Sequence, residues 1–141
     1  MKALIKVTGV QNLEDTGDDS IELITDGIFT RIPGGFSIKY HETELTGLEG
    51  TVTTVEIVGD TVVVCRRGTL NSRMEFREGY KCSFLYDTRF GSATLGFETR
   101  SVKTKFDSTG GDLAIDYIVN MEHAVVGRNK LLMSVRPSRS Q

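Results

Sequence analysis

Two carboxylates two residues apart are the first groups in this sequence that could do chemistry. In Tyr40-His41-Glu42-Thr43-Glu44, an extended strand would put Tyr40, Glu42 and Glu44 on one face and His41 and Thr43 on the other. Same-face carboxylates at that spacing stand roughly 7 Å apart, a separation that inverting glycosidases use. Any pair of glutamates at i and i+2 on any strand meets this distance, so the spacing alone does not make an enzyme. The residues around the pair say more. A short connection over 46–50 and a hairpin at Gly59-Asp60 bring Thr51, Thr53 and Arg66 to the same end and the same face. Tyr86 and Thr88 close the ring from the opposite side. The candidate ligand-binding set is therefore Tyr40, Glu42, Glu44, Thr51, Thr53, Arg66, Tyr86 and Thr88. Buried charges are costly unless paired. Arg66 between two carboxylates reads either as an internal ion-pair network or as the polar part of a pocket for a small ligand. Acid–base catalysis by the two glutamates comes third.

Other reactive side chains offer less. His41 points outward by alternation and His123 falls at a turn, which leaves no third ligand at metal spacing. Cys65 and Cys82 have opposite parity on strands that are not neighbours, so both are expected as free thiols, which fits a reducing cytoplasm. No serine sits in a nucleophile elbow and no glycine loop opens a helix. No catalytic residue, metal or cofactor is expected, and the protein reads as a non-enzyme.

The elements that would position the cluster are all strands. Apolar and polar residues alternate with period two near 2–10, 19–32, 35–45, 50–58, 61–68, 73–78, 81–88, 92–106, 112–122 and 128–136, with Val, Ile, Thr, Phe and Tyr prominent. No apolar stripe recurs at helical spacing. Turns at Pro33-Gly34-Gly35, Gly59-Asp60, Glu78-Gly79 and Gly110-Gly111 are short, which forces consecutive strands to pair antiparallel. Ten such strands twist too far to stay open, and closure removes the unpaired edges. The expected fold is all-β, an up-and-down antiparallel barrel of 8–10 strands, with a two-sheet sandwich as the alternative. One domain spans 1–137, and the tail 138–141, after Pro137, is expected to fray. Alternation makes one end of the interior greasy and the other polar.

Composition narrows the partners. The chain has 141 residues, 15 Gly and 2 Pro, with a formal net charge of −2, which argues against a whole-molecule polycation for nucleic acid. No apolar run is long enough to span a membrane, and the start, Met1-Lys2-Ala3-Leu4, does not read as a signal peptide. Residues 1–60 carry 4 basic and 11 acidic side chains, and residues 61–141 carry 13 and 8. Opposite charge on the first and last strands would then assist closure. Arg67, Arg73, Arg77, Lys81, Arg89, Arg100, Lys103 and Lys105 point outward and could form a basic patch for an anionic or RNA partner. A protein- or RNA-interaction module using the outer surface is thus the alternative to a ligand-binding interior.

The sequence also resembles a known family. Val7-Thr8-Gly9 with Gln11, the run 21–27, Tyr40-His41-Glu42-Thr43-Glu44, Thr46-Gly47, Glu49-Gly50-Thr51, Arg66 with Gly68, Phe76, Gly79, the run 86–91, and Gly110-Gly111 with Leu113 and Tyr117 are similar to the YwiB-like bacterial proteins, a family of unknown function. Phe90 stands where that pattern would have Tyr. The resemblance implies a lipocalin-like, calycin-type barrel in a cytoplasmic bacterial protein. It implies no activity, substrate or cofactor.

Overall fold

Short turns between alternating strands produce a closed antiparallel barrel, in the order β1-β10-β9-β8-β7-β6-β5-β4-β3-β2. This is a computed structural model that describes residues 1–13, 17–46, 48–88, 91–121 and 124–138. The side chains of residues 12, 13, 17–19, 84, 86–88, 93, 121 and 124–126 are outside the description. The strands are β1 (Lys2–Leu13), β2 (Gly17–Ile32), β3 (Gly35–His41), β4 (Val52–Val58), β5 (Thr61–Arg67), β6 (Leu70–Phe76), β7 (Lys81–Thr88), β8 (Gly91–Asp107), β9 (Gly110–Met121) and β10 (Ala124–Pro137). Closure replaces the sandwich alternative. Among the described residues the only helical piece is a single 3-10 turn at Glu44–Thr46, and no helix is long and apolar enough to cross a membrane.

Each β1 residue from Ala3 to Asn12 faces a β10 residue from Pro137 to Arg128. Charge does not draw this seam together, contrary to expectation. Lys6 faces Ser134, Leu4 faces Arg136, and Val10 faces Lys130. Lys6 instead reaches Glu22 on β2 at 3.6 Å, because the acidic excess of the first half sits next to β1 rather than opposite it. The Ser138 N–H donates to Lys2 O at 3.2 Å, so order continues to 138, while 139–141 lie outside the described residues.

Side chains alternate in and out along the strands, as a period of two requires. One end of the interior is apolar. Phe29 stacks on Phe36 with ring centroids 5.2 Å apart, and Phe106 lies 6.2 Å from Phe29. Around them Ala3, Ile5, Ile57, Val62, Ile115 and Val135 are buried. Further along, Phe76 meets Phe97 at 5.2 Å and Tyr117 at 4.9 Å. Burying this apolar surface is the main stabilising term, at roughly 1.5–3 kcal/mol for each large side chain.

One ladder is short. Among the described residues β6 pairs with β7 at Leu70–Thr88 and Asn71–Asp87, whereas β5 and β6 match over five residues. At the other edge of β6, Gly68 lets the connection from β5 pass close to the loop before β4. Its φ is +131°, and a Cβ there would overlap the Gly50 carbonyl oxygen, so only glycine fits.

Candidate functional site

The polar end of the interior is assembled by register. Tyr40 on β3 faces Thr53 on β4, Thr53 faces Arg66 on β5, and Arg66 faces Ser72 on β6. Four strands thus contribute one inward residue each to a single row, at about 4.8 Å per strand. On the opposite wall Thr99 of β8 faces Tyr117 of β9. Glu42 follows β3 directly and keeps its alternation, because its N–H still donates to Thr51 O at 2.9 Å. Tyr40, Glu42, Thr51, Thr53 and Thr99 are buried, and Arg66, Ser72 and Tyr117 are half-buried.

Glu44 does not join them. The strand ends at His41, and Thr43 starts a turn of its own. The Thr43 Oγ1 accepts from the Leu45 N–H at 3.2 Å, and Thr43 O accepts from Thr46 Oγ1 at 3.0 Å. Such local bonds compete with strand pairing, and here they rotate Glu44 onto the exposed surface. The expected pair of same-face carboxylates therefore does not exist, and with it goes the geometry for two-carboxylate catalysis. Thr51 is placed inside as expected, but its hydroxyl is occupied. Thr51 Oγ1 accepts from the Leu70 N–H at 3.2 Å, tying the loop before β4 to the start of β6. The side chains of Tyr86 and Thr88 lie outside the described residues, as does His123, while His41 is exposed.

Arg66 does not sandwich between carboxylates either. Among the described residues it forms no ion pair within 4 Å. Its charge nevertheless reaches Glu42, Tyr40 and Tyr117. Burial pushes the Glu42 carboxyl above its ordinary range, and the pull of Arg66 and a bond with Tyr40 offset this only in part. Burial also raises the Tyr40 hydroxyl, with the Glu42 charge adding to it, and raises Tyr117. Both tyrosines are therefore neutral donors at pH 7.

Among the described residues five buried polar atoms have no hydrogen-bond partner: Glu42 Oε2, Thr53 Oγ1, Arg66 Nε, Ser72 Oγ and Thr99 Oγ1. The Tyr40 hydroxyl is near enough to Thr53 to affect its own titration, but Thr53 Oγ1 completes no bond of good geometry. Four of these orphans, on Glu42, Thr53, Arg66 and Ser72, belong to the cluster across β3–β6, and Thr99 stands beside Tyr117 on the opposite wall. Ser72 was absent from the sequence-based set because the strand was placed from 73. The alternation Leu70, Ser72, Met74, Phe76 was the signal that would have included it. Thr99 and Tyr117 are not among the residues that the sequence places in the site.

Cys65 and Cys82 are both free and half-buried, on β5 and β7 with β6 between them. No group of three or more His, Cys, Asp or Glu side chains among the described residues could hold a metal ion. The expected outer basic patch is divided. Arg73 pairs with Glu75 at 3.8 Å, Arg77 lies over the Tyr80 ring at 4.8 Å, and Arg89 is outside the described residues. Arg100, Lys103 and Lys105 lie on β8, where Lys103 lines a groove together with Arg77, Asp60 and Glu78.

The family model described as domain of unknown function (DUF1934) matches residues 5–133. The chain belongs to this family. Its fold is similar to the crystal structure of the ywiB protein from Bacillus subtilis, with a TM-score of 0.86 at 20% sequence identity, covering 97% of this chain and 92% of that one. That likeness shows the same barrel fold. No curated protein matches the sequence.

Proposed function

We propose that this DUF1934 protein is a non-enzymatic cytoplasmic barrel that binds a small polar or amphipathic ligand at the polar end of its interior. The observation that carries this reading is the grouping of four orphan polar atoms, on Glu42, Thr53, Arg66 and Ser72, at one end of the interior. Buried polar groups are normally satisfied, and each one left without a partner costs about 1–3 kcal/mol. A ligand that bonds to them would recover that cost. Tyr40, Glu42, Thr53 and Arg66, with Ser72, Thr99 and Tyr117, supply donors and acceptors beside the aromatic floor of Phe76 and Phe97. Arg66, Ser72 and Tyr117, half-buried, are the members that solvent reaches, so a ligand enters past them. The two free thiols accord with a reducing compartment.

Native mass spectrometry of the protein after incubation with the small-molecule fraction of a cell extract tests this. The wild type should retain a stoichiometric ligand, and a Thr53→Val/Ser72→Ala variant should lose it. A wild type that retains nothing, or a variant that retains the same mass, refutes the proposal.

A further inference from the structure

A second site lies on the outer wall, away from the interior cluster. The ladders on both sides of β9 are interrupted, at points three residues apart along that strand. The β8–β9 register shifts between Thr99 and Ser101, and the β9–β10 register shifts between Val125 and Gly127. Bulges re-aim side chains and recur beside functional sites. Here one bulge carries Arg100 itself, and the other lies two residues before Arg128. Between them the wall holds a groove of about 480 Å³ lined by Arg100, Ser101, Asp116, Ile118, Arg128 and Lys130, a volume within the range of small-molecule sites.

Ile118 shows that this is a recess. It alternates outward from Tyr117 and stands outside the barrel's core cluster, yet it is only 9% exposed. Three cations surround it, and none is within 4 Å of a carboxylate among the described residues. Asp116 faces Lys130 in the β9–β10 ladder and Ser101 in the β8–β9 ladder. Glu98 faces Ile118 itself across the β8–β9 ladder, so the three cations stand against two carboxylates and exceed them by one positive charge. Cations held together in excess of their counter-charge repel one another, and an anion relieves this while accepting charge-assisted hydrogen bonds.

We infer that this groove binds a small phosphorylated ligand. Arg100, Arg128 and Lys130 take the phosphate, Asp116 accepts from a hydroxyl or amine on the same molecule, and Ile118 packs against its apolar part. Arginine favours this chemistry because its planar fork matches phosphate oxygens.

Inorganic pyrophosphate is the probe, titrated into the full chain and followed by amide NMR and calorimetry at fixed salt. Saturable shifts should centre on Ser101, Ile118 and Arg128. Arg128→Gln and Lys130→Gln should each weaken binding about tenfold, the scale of one charge-assisted contact. Arg73→Gln on β6 should leave it unchanged. These side chains are exposed, apart from Ser101 and Ile118, and an unchanged melting temperature will show that the variants fold. Absence of saturable shifts at these amides, or an equal loss in Arg73→Gln, overturns the inference. A homopolymeric oligonucleotide that binds far more tightly than pyrophosphate, with contacts spreading to Lys103 and Lys105, overturns it in favour of a nucleic-acid surface.

Discussion

Thr51 and Thr53 stand two residues apart, both fully inside the barrel at 1% and 0% exposure. The same substitution at each should have opposite effects. Valine is nearly isosteric with threonine, so each change swaps a hydroxyl for a methyl with little change in packing. At Thr53 the hydroxyl oxygen has no partner. Removing it abolishes a desolvation penalty of about 1–3 kcal/mol, and valine also suits a strand. Thr53→Val should therefore stabilise the ligand-free protein by about 1–2 kcal/mol. At Thr51 the hydroxyl accepts from the Leu70 N–H. Thr51→Val leaves that N–H buried and unpaired, which costs about 1–3 kcal/mol. An unfolding entropy near 2.1 cal/mol/K per residue gives this 141-residue chain about 3–4 °C in Tm for each kcal/mol. Calorimetry should place Thr53→Val roughly 3–7 °C above the wild type and Thr51→Val a similar amount below it. Destabilisation by Thr53→Val would mean that its hydroxyl is bonded in solution, and the argument from orphan atoms would fail with it.

Three further outcomes follow from the same cluster and its surroundings. Arg66→Met should cost about 1–2 kcal/mol at neutral pH rather than the roughly 3–5 kcal/mol of a broken buried pair, because Arg66 is half-buried and in contact with no carboxylate; Arg67→Met should stay within about 0.5 kcal/mol, as urea midpoints will show. Glu42 carries a sign that separates it from an ordinary salt-bridged carboxylate: its folded pKa lies above 4.5, so its charge destabilises the fold at neutral pH, and the penalty fades as pH falls through the folded value. Glu42→Gln should raise the urea midpoint at neutral pH and remove this slope, whereas a midpoint lower than wild type at neutral pH and equal in acid would show that Arg66 outweighs burial. Finally, native-state hydrogen exchange should find the earliest opening of the described strands along β6 and β7, where two residue pairs hold the ladder; protection there equal to that of β1 and β10 would contradict it.

Alternation determines which way a side chain points only while the strand continues. That is why Tyr40, Thr53, Arg66, Phe97, Ile115 and Tyr117 could all be assigned inward from sequence, and why the closed antiparallel fold was legible from turn spacing. The assignment failed where a local bond ended the strand. Thr43 is as good a strand residue as any by propensity, and its capping of the 3-10 turn depends on backbone positions that periodicity does not report. Ser72 failed in the opposite direction. A strand start hidden behind Gly68-Thr69 removed from view a residue whose parity was otherwise clear.

The gap between facing and touching separates the sequence reading of the site from its structure. Parity brought Glu42 and Arg66 to one end of the interior, and opposite charges there suggested a bond. Whether such charges meet depends on rotamers and on how far the sheet curves between β3 and β5, and neither is encoded in a period of two. The result is a carboxyl that burial keeps above its ordinary range despite a guanidinium within electrostatic reach. A plug of salt bridges would have closed the interior and depressed that pKa. Charges that attract without contact leave the polar end electrostatically unfinished, with donors from Arg66, Tyr40 and Tyr117 outnumbering the one carboxyl that could accept from them. A ligand that accepts hydrogen bonds at one end and tolerates the Phe76–Phe97 floor at the other is the complement this imbalance selects.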